Sequence, residues 1–188
     1  MSLQFYSANK SNTGAMSSWS FNSKDQSVWV RLIKQTGSNQ SASGGTNGTY
    51  KGGAAINVKF NIDEVGGIIR SARVLEPVSF FHKNPNNQTT IRFAPFEVKG
   101  QNGTSVRYGL SFKQGDLEFK IGLSIGQAEA LAQYLEFSLG HIFSADYAAD
   151  KKRALDAQSK KVTAPETSEQ DEGATEETQE TPPEDEAF

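Results

Sequence analysis

The sequence predicts an α+β protein built from two tandem units, each with four strands followed by one helix (ββββα). Most of the chain up to residue 123 consists of short segments in which apolar and polar residues alternate, as in half-buried strands. Two segments, beginning at Asn61 and Ser124, instead have apolar residues at helical spacing behind a capping motif. These two segments match in pattern without a gap, which indicates an internal repeat.

The first unit opens with segments that read as strands. They are LQFY from residue 3, SSWSF at 17–21, SVWVRLIKQ at 27–35 and YKGGAAINVKF at 50–60. In SVWVRLIKQ, apolar residues alternate with Trp29 and Arg31. The intervening run TGSNQSASGGTNGT (36–49) has no apolar residue larger than alanine, so we expect a long mobile loop there.

A first helix is predicted after Asn61. This residue can serve as the N-cap, and Glu64, three positions later, completes a capping box. The apolar residues that follow at helical spacing are Val65, Ile68, Ile69 and Ala72. The first unit therefore ends in an amphipathic helix.

The second unit repeats this order after Pro77. Its strand-like segments are 78–82, 89–99, 105–113 and 117–123. The turn signals NPNN, GQNG and QGD separate them. A second helix is predicted at 124–139, with Gly140 at the C′ position where many helices end.

The repeat has a register of 63 residues. Asn61 and Glu64 fall on Ser124 and Gln127, so each unit has a capping box. The apolar helix residues of the first unit fall on Ala128, Leu131, Ala132 and Leu135. Identity across this register is almost nil, so the repeat is one of pattern. Its ungapped match over about twenty residues favours duplication.

These patterns divide the chain into three parts. We expect a domain at 1–143 (pseudo-repeats roughly 3–76 and 77–143), a basic linker at 144–161 with a short helix as one option, and a disordered acidic tail at 162–188. An OB-fold barrel is the structural alternative, but its five strands and single helix fit a two-helix repeat poorly.

The charge is segregated along the chain. Residues 1–161 contain all 19 Lys and Arg with 12 of the acidic residues, a formal charge of +7. Residues 162–188 contain 10 acidic residues and no Lys or Arg. This asymmetry predicts a polyanion-binding domain with an interaction tail, and a purely solubilising tail is the alternative.

Several function classes are disfavoured. There is no cysteine, phosphate loop, HExxH or GxSxG motif, and His82 and His141 have no recognisable partner motif. We therefore expect no enzyme activity, no cofactor and no metal. No apolar stretch approaches eighteen residues and the N-terminus has no signal-like segment, so we expect no membrane association and a cytoplasmic location, in the host if the chain is phage-encoded.

The element order and one short motif carry a family resemblance. Two four-strand-plus-helix units over about residues 3–143 resemble the fold of the transcription coactivator PC4 and the plant Whirly proteins. YKGGAAINVKF resembles a Whirly strand motif, with Lys51, Ala54, Ala55 and Ile56 at matching positions and Gly53 in place of a second lysine. The resemblance implies a single-stranded nucleic-acid-binding fold, in which aromatic residues stack with bases and basic residues hold phosphates.

Non-specific single-strand binding needs cations for phosphates and flat side chains for bases. The candidates in the first unit are Trp19, Phe21, Trp29, Arg31, Lys34, Tyr50, Lys51 and Lys59. Those in the second unit are Arg92, Lys99, Arg107, Lys113 and Lys120. Trp29 is the strongest aromatic candidate because its neighbours on the same strand face are Ser27 and Arg31. Tyr108 alternates with apolar residues and is expected in the core.

The tail has its own resemblance. Its acidic, proline-containing end, TPPEDEAF, is similar to the C-termini of bacterial and phage single-stranded DNA-binding proteins, where the tip recruits replication and repair proteins. In this chain the resemblance makes Phe188 the anchor of such a contact. The steering charges are Glu184, Asp185 and Glu186.

Together these observations predict a sequence-independent single-stranded DNA-binding protein of replication, recombination or repair. Replication or repair proteins would be partners of its tail. The first alternative is an RNA-binding or transcription-regulating protein on the same fold, since stacking surfaces accept either polymer. The second is a phage structural or assembly protein. The oligomeric state is left open, with a homo-oligomer as one option.

Overall fold

A computed structural model describes residues 2–22, 24–40, 45–85, 87–100 and 103–162 of the chain. The elements in these ranges are β1 (Ser2–Ser7), β2 (Ala15–Asn22), β3 (Ser27–Lys34), β4 (Gly37–Gln40), β5 (Thr46–Thr49), β6 (Ala55–Phe60), α1 (Ile62–Val74), β7 (Val78–Asn84), β8 (Asn87–Gly100), β9 (Gly103–Gln114), β10 (Leu117–Leu123) and α2 (Ile125–Val162). By its internal contacts the chain divides into two compact units, Met1–Asp150 and Lys151–Phe188. No helix in the described ranges is both long and apolar enough to cross a membrane.

Two four-stranded antiparallel sheets dominate the first compact unit. Sheet 1 has the order β1-β2-β3-β6 and sheet 2 the order β10-β9-β8-β7. Each sheet is followed in sequence by a helix, α1 after β6 and α2 after β10. The predicted α+β class, with two units of four strands and a helix, is confirmed.

One core joins both sheets and both helices. Its aromatic centre combines rings from the two units, since Trp19 stacks on Phe60 with centroids 5.9 Å apart and Phe60 lies 6.1 Å from Phe93. The helices bury the apolar residues that their spacing predicted, with Ile69 only partly buried. Because side chains of both pseudo-repeats surround the same rings, the two repeats share one hydrophobic core.

The 63-residue register is present in the structure. Helices α1 and α2 begin 63 positions apart, at Ile62 and Ile125. Both capping boxes form: the Glu64 amide donates to Asn61 Oδ1 at 2.9 Å, and the Gln127 amide donates to Ser124 Oγ at 3.2 Å. The reverse bonds, from the cap amides to the Glu64 and Gln127 side chains, are 3.0 and 2.9 Å long.

Equivalent positions of the two units also touch each other. Arg73 of α1 donates to both carboxylate oxygens of Glu136 in α2, with distances of 2.5 and 2.8 Å, and these residues are 63 positions apart. Contact between equivalent positions is what an approximate two-fold axis passing between them produces. The bidentate bond lowers the pKa of the Glu136 carboxyl and raises that of the Arg73 guanidinium.

The polar segment at 36–49 differs from the prediction of a long mobile loop. Its described residues form a hairpin, β4–β5, with Gly37 opposite Thr49. The Thr36 amide donates to the carbonyl of Thr49 at 2.7 Å and continues the ladder at the base of the hairpin. The prediction was wrong because ladder bonds are made by the backbone and require no apolar side chain. Residues 41–44 lie outside the described ranges.

The second helix also ends later than predicted. α2 continues through Gly140 to Val162, so Gly140 is an interior residue and the proposed linker at 144–161 forms the last turns of this helix. A helical glycine costs about 1 kcal/mol relative to alanine. Ile142, fully buried just beyond it, and the helix-forming residues that follow offset this cost. From residue 163 onward, the predicted tail lies outside the described ranges.

Candidate nucleic-acid interface

The outer face of sheet 1, turned away from the core, carries the first cluster of predicted binding residues. Val28, Val30 and Leu32 of β3 are fully buried, so the residues between them point outward. Trp29 has 37% of its surface exposed and lies opposite Lys59 of β6, and Arg31 lies exposed opposite Asn57. We call Trp29, Arg31 and Lys59 the Trp29 cluster.

A carboxylate holds the lysine of this cluster in place. Lys59 Nζ lies 3.2 Å from Asp25 Oδ2, while the Ser27 hydroxyl donates to Asp25 Oδ1 at 2.5 Å. The hydrogen bond from Ser27, with a smaller effect of Lys59, lowers the pKa of the Asp25 carboxyl. The lysine therefore faces a permanently charged partner at neutral pH, and an incoming phosphate would compete with Asp25 for it.

Tyr50 and Lys51 flank the same sheet beyond the hairpin. The Tyr50 ring lies 5.8 Å from the exposed Tyr6 ring of β1 and against Gly48 of β5. Its half-buried position raises the pKa of the Tyr50 phenol, chiefly by desolvation. Lys51 lies exposed in the turn that follows. Of the two rings in this Tyr6–Tyr50 pair, Tyr6 is the more accessible, with 56% of its surface exposed.

The motif position Gly53 has a backbone explanation. A methyl group at Gly53 would lie 2.1 Å from the carbonyl oxygen of Lys34, which belongs to the neighbouring strand. The Lys34 amide also donates to the carbonyl of Ala54 at 2.9 Å. A side chain at this position would require the backbone to shift, so the close approach accounts for glycine where the resembled motif has a second lysine.

Two predicted stacking residues lie on the opposite face. Trp19 is fully buried, and its indole nitrogen donates to Ser17 Oγ at 3.2 Å. Phe21 is half-buried, and its ring lies 5.4 Å from the His141 ring of α2. The prediction was wrong because the residues next to Trp19 and Phe21 are all polar, so the alternation of polarity could not show which face of β2 is buried. Neither residue is available to stack with a base.

Lys34 lies at the seam between the two sheets, away from the Trp29 cluster. Its ammonium group is 5.4 Å from the centre of the Phe119 ring of β10. Together with Asn9, Glu118 and Lys120 it lines a cavity of about 270 Å³. Lys34 therefore adds positive charge to the edge of sheet 2.

The second-unit cations lie mainly on the outer face of sheet 2. Arg92 of β8 is opposite Ser111 of β9, and Ser111 is opposite Lys120 of β10. Lys120 Nζ lies 2.9 Å from Glu118 Oε1, and this bond is the main cause of the lowered pKa of the Glu118 carboxyl. The face also includes Lys113, opposite Glu118, and Arg107.

Lys99 does not share this face. It is seven positions after Arg92 in an unbroken strand register, so its side chain points to the other side of β8. The prediction placed Lys99 on the outer face with the other cations. Because side chains alternate between the two faces of a strand, the odd spacing from Arg92 places Lys99 on the opposite face.

A groove of about 610 Å³ crosses the outer face of sheet 2. It is lined by Arg92, Phe96, Arg107 and Lys120, with Gly109 and Gly122 at its floor and Ser7 of β1 at its edge. The sequence analysis did not include Phe96 among the candidate binding residues. Its even spacing from Arg92 along β8 was the available signal, because residues two and four apart share a strand face.

His82 has a partner that no motif revealed. Its Nε2 atom lies 2.7 Å from Glu64 Oε1, so the capping residue of α1 also contacts β7. No group of three or more His, Asp or Glu side chains able to hold a metal ion is found among the residues that the structure describes.

Comparison with solved structures shows that this α+β protein has a Whirly-like fold. WHY3 from Arabidopsis thaliana is similar with a TM-score of 0.52 and 12% identity, over 84% of this chain and 96% of that chain. The plant transcriptional regulator PBF-2 matches with a TM-score of 0.52 and 12% identity, over 80% of this chain and 86% of that chain. MRP1/MRP2 of Trypanosoma bruciei match with a TM-score of 0.52 and 11% identity, over 76% of this chain and 94% of that chain.

These likenesses concern the fold. The Whirly half of the resemblance inferred from the sequence is confirmed at that level. No protein-family model matches the sequence, and no curated protein matches it significantly.

Proposed function

We propose that this chain binds single-stranded nucleic acid without sequence preference, with DNA as its main target. The exposed position of Trp29 between cationic side chains carries this proposal. An indole on a strand face, with Arg31 two positions along and Lys59 on the adjacent strand, offers one surface for a base and two cations for phosphates. The fold shared with a plant transcriptional regulator supports a nucleic-acid role.

The charge of the body supports the same proposal. Residues 1–161 carry a formal charge of +7, and part of it lies on the outer faces of both sheets. Binding to phosphates would release counterions, so affinity should fall steeply as salt rises. Replacing Arg31 with alanine should lower the slope of log affinity against log salt by about one unit.

We further propose a role in replication, recombination or repair, with the tail as a partner-binding segment. The support is the sequence of residues 162–188 alone, whose acidic groups end in Phe188. A phenyl ring beside its own α-carboxylate suits a small apolar pocket rimmed by Lys or Arg on a partner protein.

The two tryptophans allow a direct test. Because Trp19 is buried and Trp29 exposed, quenching of emission by oligo-dT should come from Trp29. The Trp29→Phe protein, which keeps only Trp19, should bind oligo-dT without quenching. Unchanged quenching in this variant, or equal competition by duplex DNA, would refute stacking at Trp29.

Transcription regulation is the second candidate function. It is favoured by the similarity to PBF-2, described as a plant transcriptional regulator. Competition among single-stranded oligonucleotides of different sequence separates the two candidates, because a regulator must discriminate among sequences and a general binder must not. An oligo-rU arm in the same titration distinguishes RNA from DNA preference.

A further inference from the structure

The floor of the groove on sheet 2 has an unusual composition. Gly109 of β9 and Gly122 of β10 are directly paired, and both lie on the outer face. The Phe96 ring lies across them: a methyl group at Gly109 would be 3.2 Å from Phe96 Cδ1, and one at Gly122 would be 3.3 Å from Phe96 Cζ. The two missing side chains leave a hollow that this ring occupies.

The ring is only partly covered by this arrangement. One side of it rests on the glycines, yet 41% of its surface remains exposed. An aromatic residue that covers glycines stabilises a sheet by filling the hollow. That role alone does not require the charges that surround the ring.

Cations surround the exposed part of Phe96. Arg107 lies directly opposite it on β9, and Arg92 precedes it by four positions on the same strand face. Lys120 completes the lining. Among the described residues, neither Arg92 nor Arg107 has a carboxylate within salt-bridge distance, and Glu118 pairs with Lys120. Two arginines thus lie beside a flat apolar ring without a charge partner in the described chain.

We propose that this groove is a second nucleotide subsite, in which Phe96 stacks with a base and Arg92 and Arg107 hold the adjoining phosphates. This inference rests on the proposed function, because it assumes that the chain binds single strands. A volume of about 610 Å³ accommodates a nucleotide unit. Charge complementarity selects the occupant, since a groove lined by three cations, of which only Lys120 is paired with a carboxylate, suits a polyanion with exposed bases.

The subsite also extends the path that a nucleic-acid strand could follow between the two sheets. Ser7 and Lys120 line both this groove and the smaller cavity that contains Lys34, so the two spaces share a rim. A nucleic-acid strand leaving Phe96 therefore meets one further cation of this cavity, Lys34, at the seam. The outer faces of sheets 1 and 2 would then act as parts of one longer site.

Two variants of Phe96 separate stacking from structural support. Phe96→Leu keeps an apolar cover over the glycines but lacks a flat face, whereas Phe96→Trp keeps the flat face. We expect Phe96→Leu to melt like the parent chain and to bind oligo-dT about 5- to 150-fold more weakly. Phe96→Trp should retain affinity. Phe143→Leu is the matched control, because it makes the same change at a phenyl ring that is 52% exposed on α2, and it should leave affinity unchanged.

Photocrosslinking provides a second measurement on the full chain. An oligo-dT carrying 5-iodouracil should crosslink to Phe96, as identified by peptide mass spectrometry. Full affinity in Phe96→Leu, or crosslinks confined to sheet 1, would overturn the subsite and leave the proposed function intact. Failure of the parent chain to bind oligo-dT at all would overturn both.

Discussion

The ammonium group of Lys59 lies near the indole of Trp29, with Nζ 5.9 Å from the ring centre. The same nitrogen is held by Asp25 at 3.2 Å. A cation, a flat ring and a carboxylate therefore form one exposed unit on sheet 1. In this unit the lysine is available to a phosphate only in competition with Asp25, and the ring is available to a base.

Removal of the ring should weaken binding without unfolding the protein. We expect Trp29→Ala to cost about 1–3 kcal/mol of oligo-dT binding free energy, the usual contribution of one stacked base. Because the ring is partly exposed, the melting temperature should change little. The checks are a binding titration and a thermal melt. A variant that unfolds would place Trp29 in the core.

Neutralising Asp25 should strengthen binding. In Asp25→Asn the lysine loses its carboxylate, so affinity for oligo-dT should rise at low salt and converge with that of the parent at high salt. Asp116→Asn is the matched control, since it makes the same charge change at an exposed turn position. Equal gains in both variants would show that only net charge matters and that the Lys59–Asp25 pair has no specific role.

Deletion of residues 162–188 tests the tail. The deletion removes ten carboxylates and no Lys or Arg, and changes the formal charge from −3 to +7. Affinity for oligo-dT should increase, chiefly at low salt where exposed charges are unscreened. Removing Phe188 alone should leave this affinity unchanged and abolish capture of a partner protein. If both truncations bind DNA and partners like the parent chain, the tail only confers solubility.

High pH should destabilise the fold through Tyr108. Burial raises the pKa of this phenol to about 12, and its 2.5 Å hydrogen bond to Ser71 offsets part of the shift. An unfolded tyrosine titrates near pH 10, so the unfolded chain loses this proton first. The stabilisation is present below about pH 10 and is lost as pH rises towards about 12.

The corresponding variant is Tyr108→Phe. It should lose about 0.5–1.5 kcal/mol at neutral pH, because one buried hydrogen bond is removed. Its free energy of unfolding should decline less steeply between pH 10 and 12 in urea titrations. An equally steep decline would assign the alkaline effect to other groups, such as Tyr50 and Tyr134, whose pKa values are also raised by burial.

Local sequence signals were sufficient to predict much of the fold. Capping boxes involve residues three positions apart, so Asn61 with Glu64 and Ser124 with Gln127 could be read directly, and the helices begin where these motifs place them. The continuation of α2 past Gly140 could not be read in this way. It is accompanied by the burial of Ile142, which is a tertiary effect.

The same division applies to the candidate site. Trp29 could be recognised as outward-facing because unmistakably apolar residues alternate with it. Trp19 could not, since its neighbours are serines on both sides. Phe96 owes its position to Gly109 and Gly122, which are 13 and 26 residues away in sequence, and only the strand register brings them together.

The bond between Arg73 and Glu136 bears on how the chain arose. If the two units descend from one ancestral unit, that unit left the rings around Phe60 half-covered and needed a second copy of itself. In such a symmetric pair the position now held by Arg73 and Glu136 would have faced its own twin, so any charge there would have met a like charge. Opposite charges become possible at this position only when the two copies differ in sequence. On that descent the ion pair arose after the copies had begun to diverge, and it marks a point at which the halves ceased to be interchangeable.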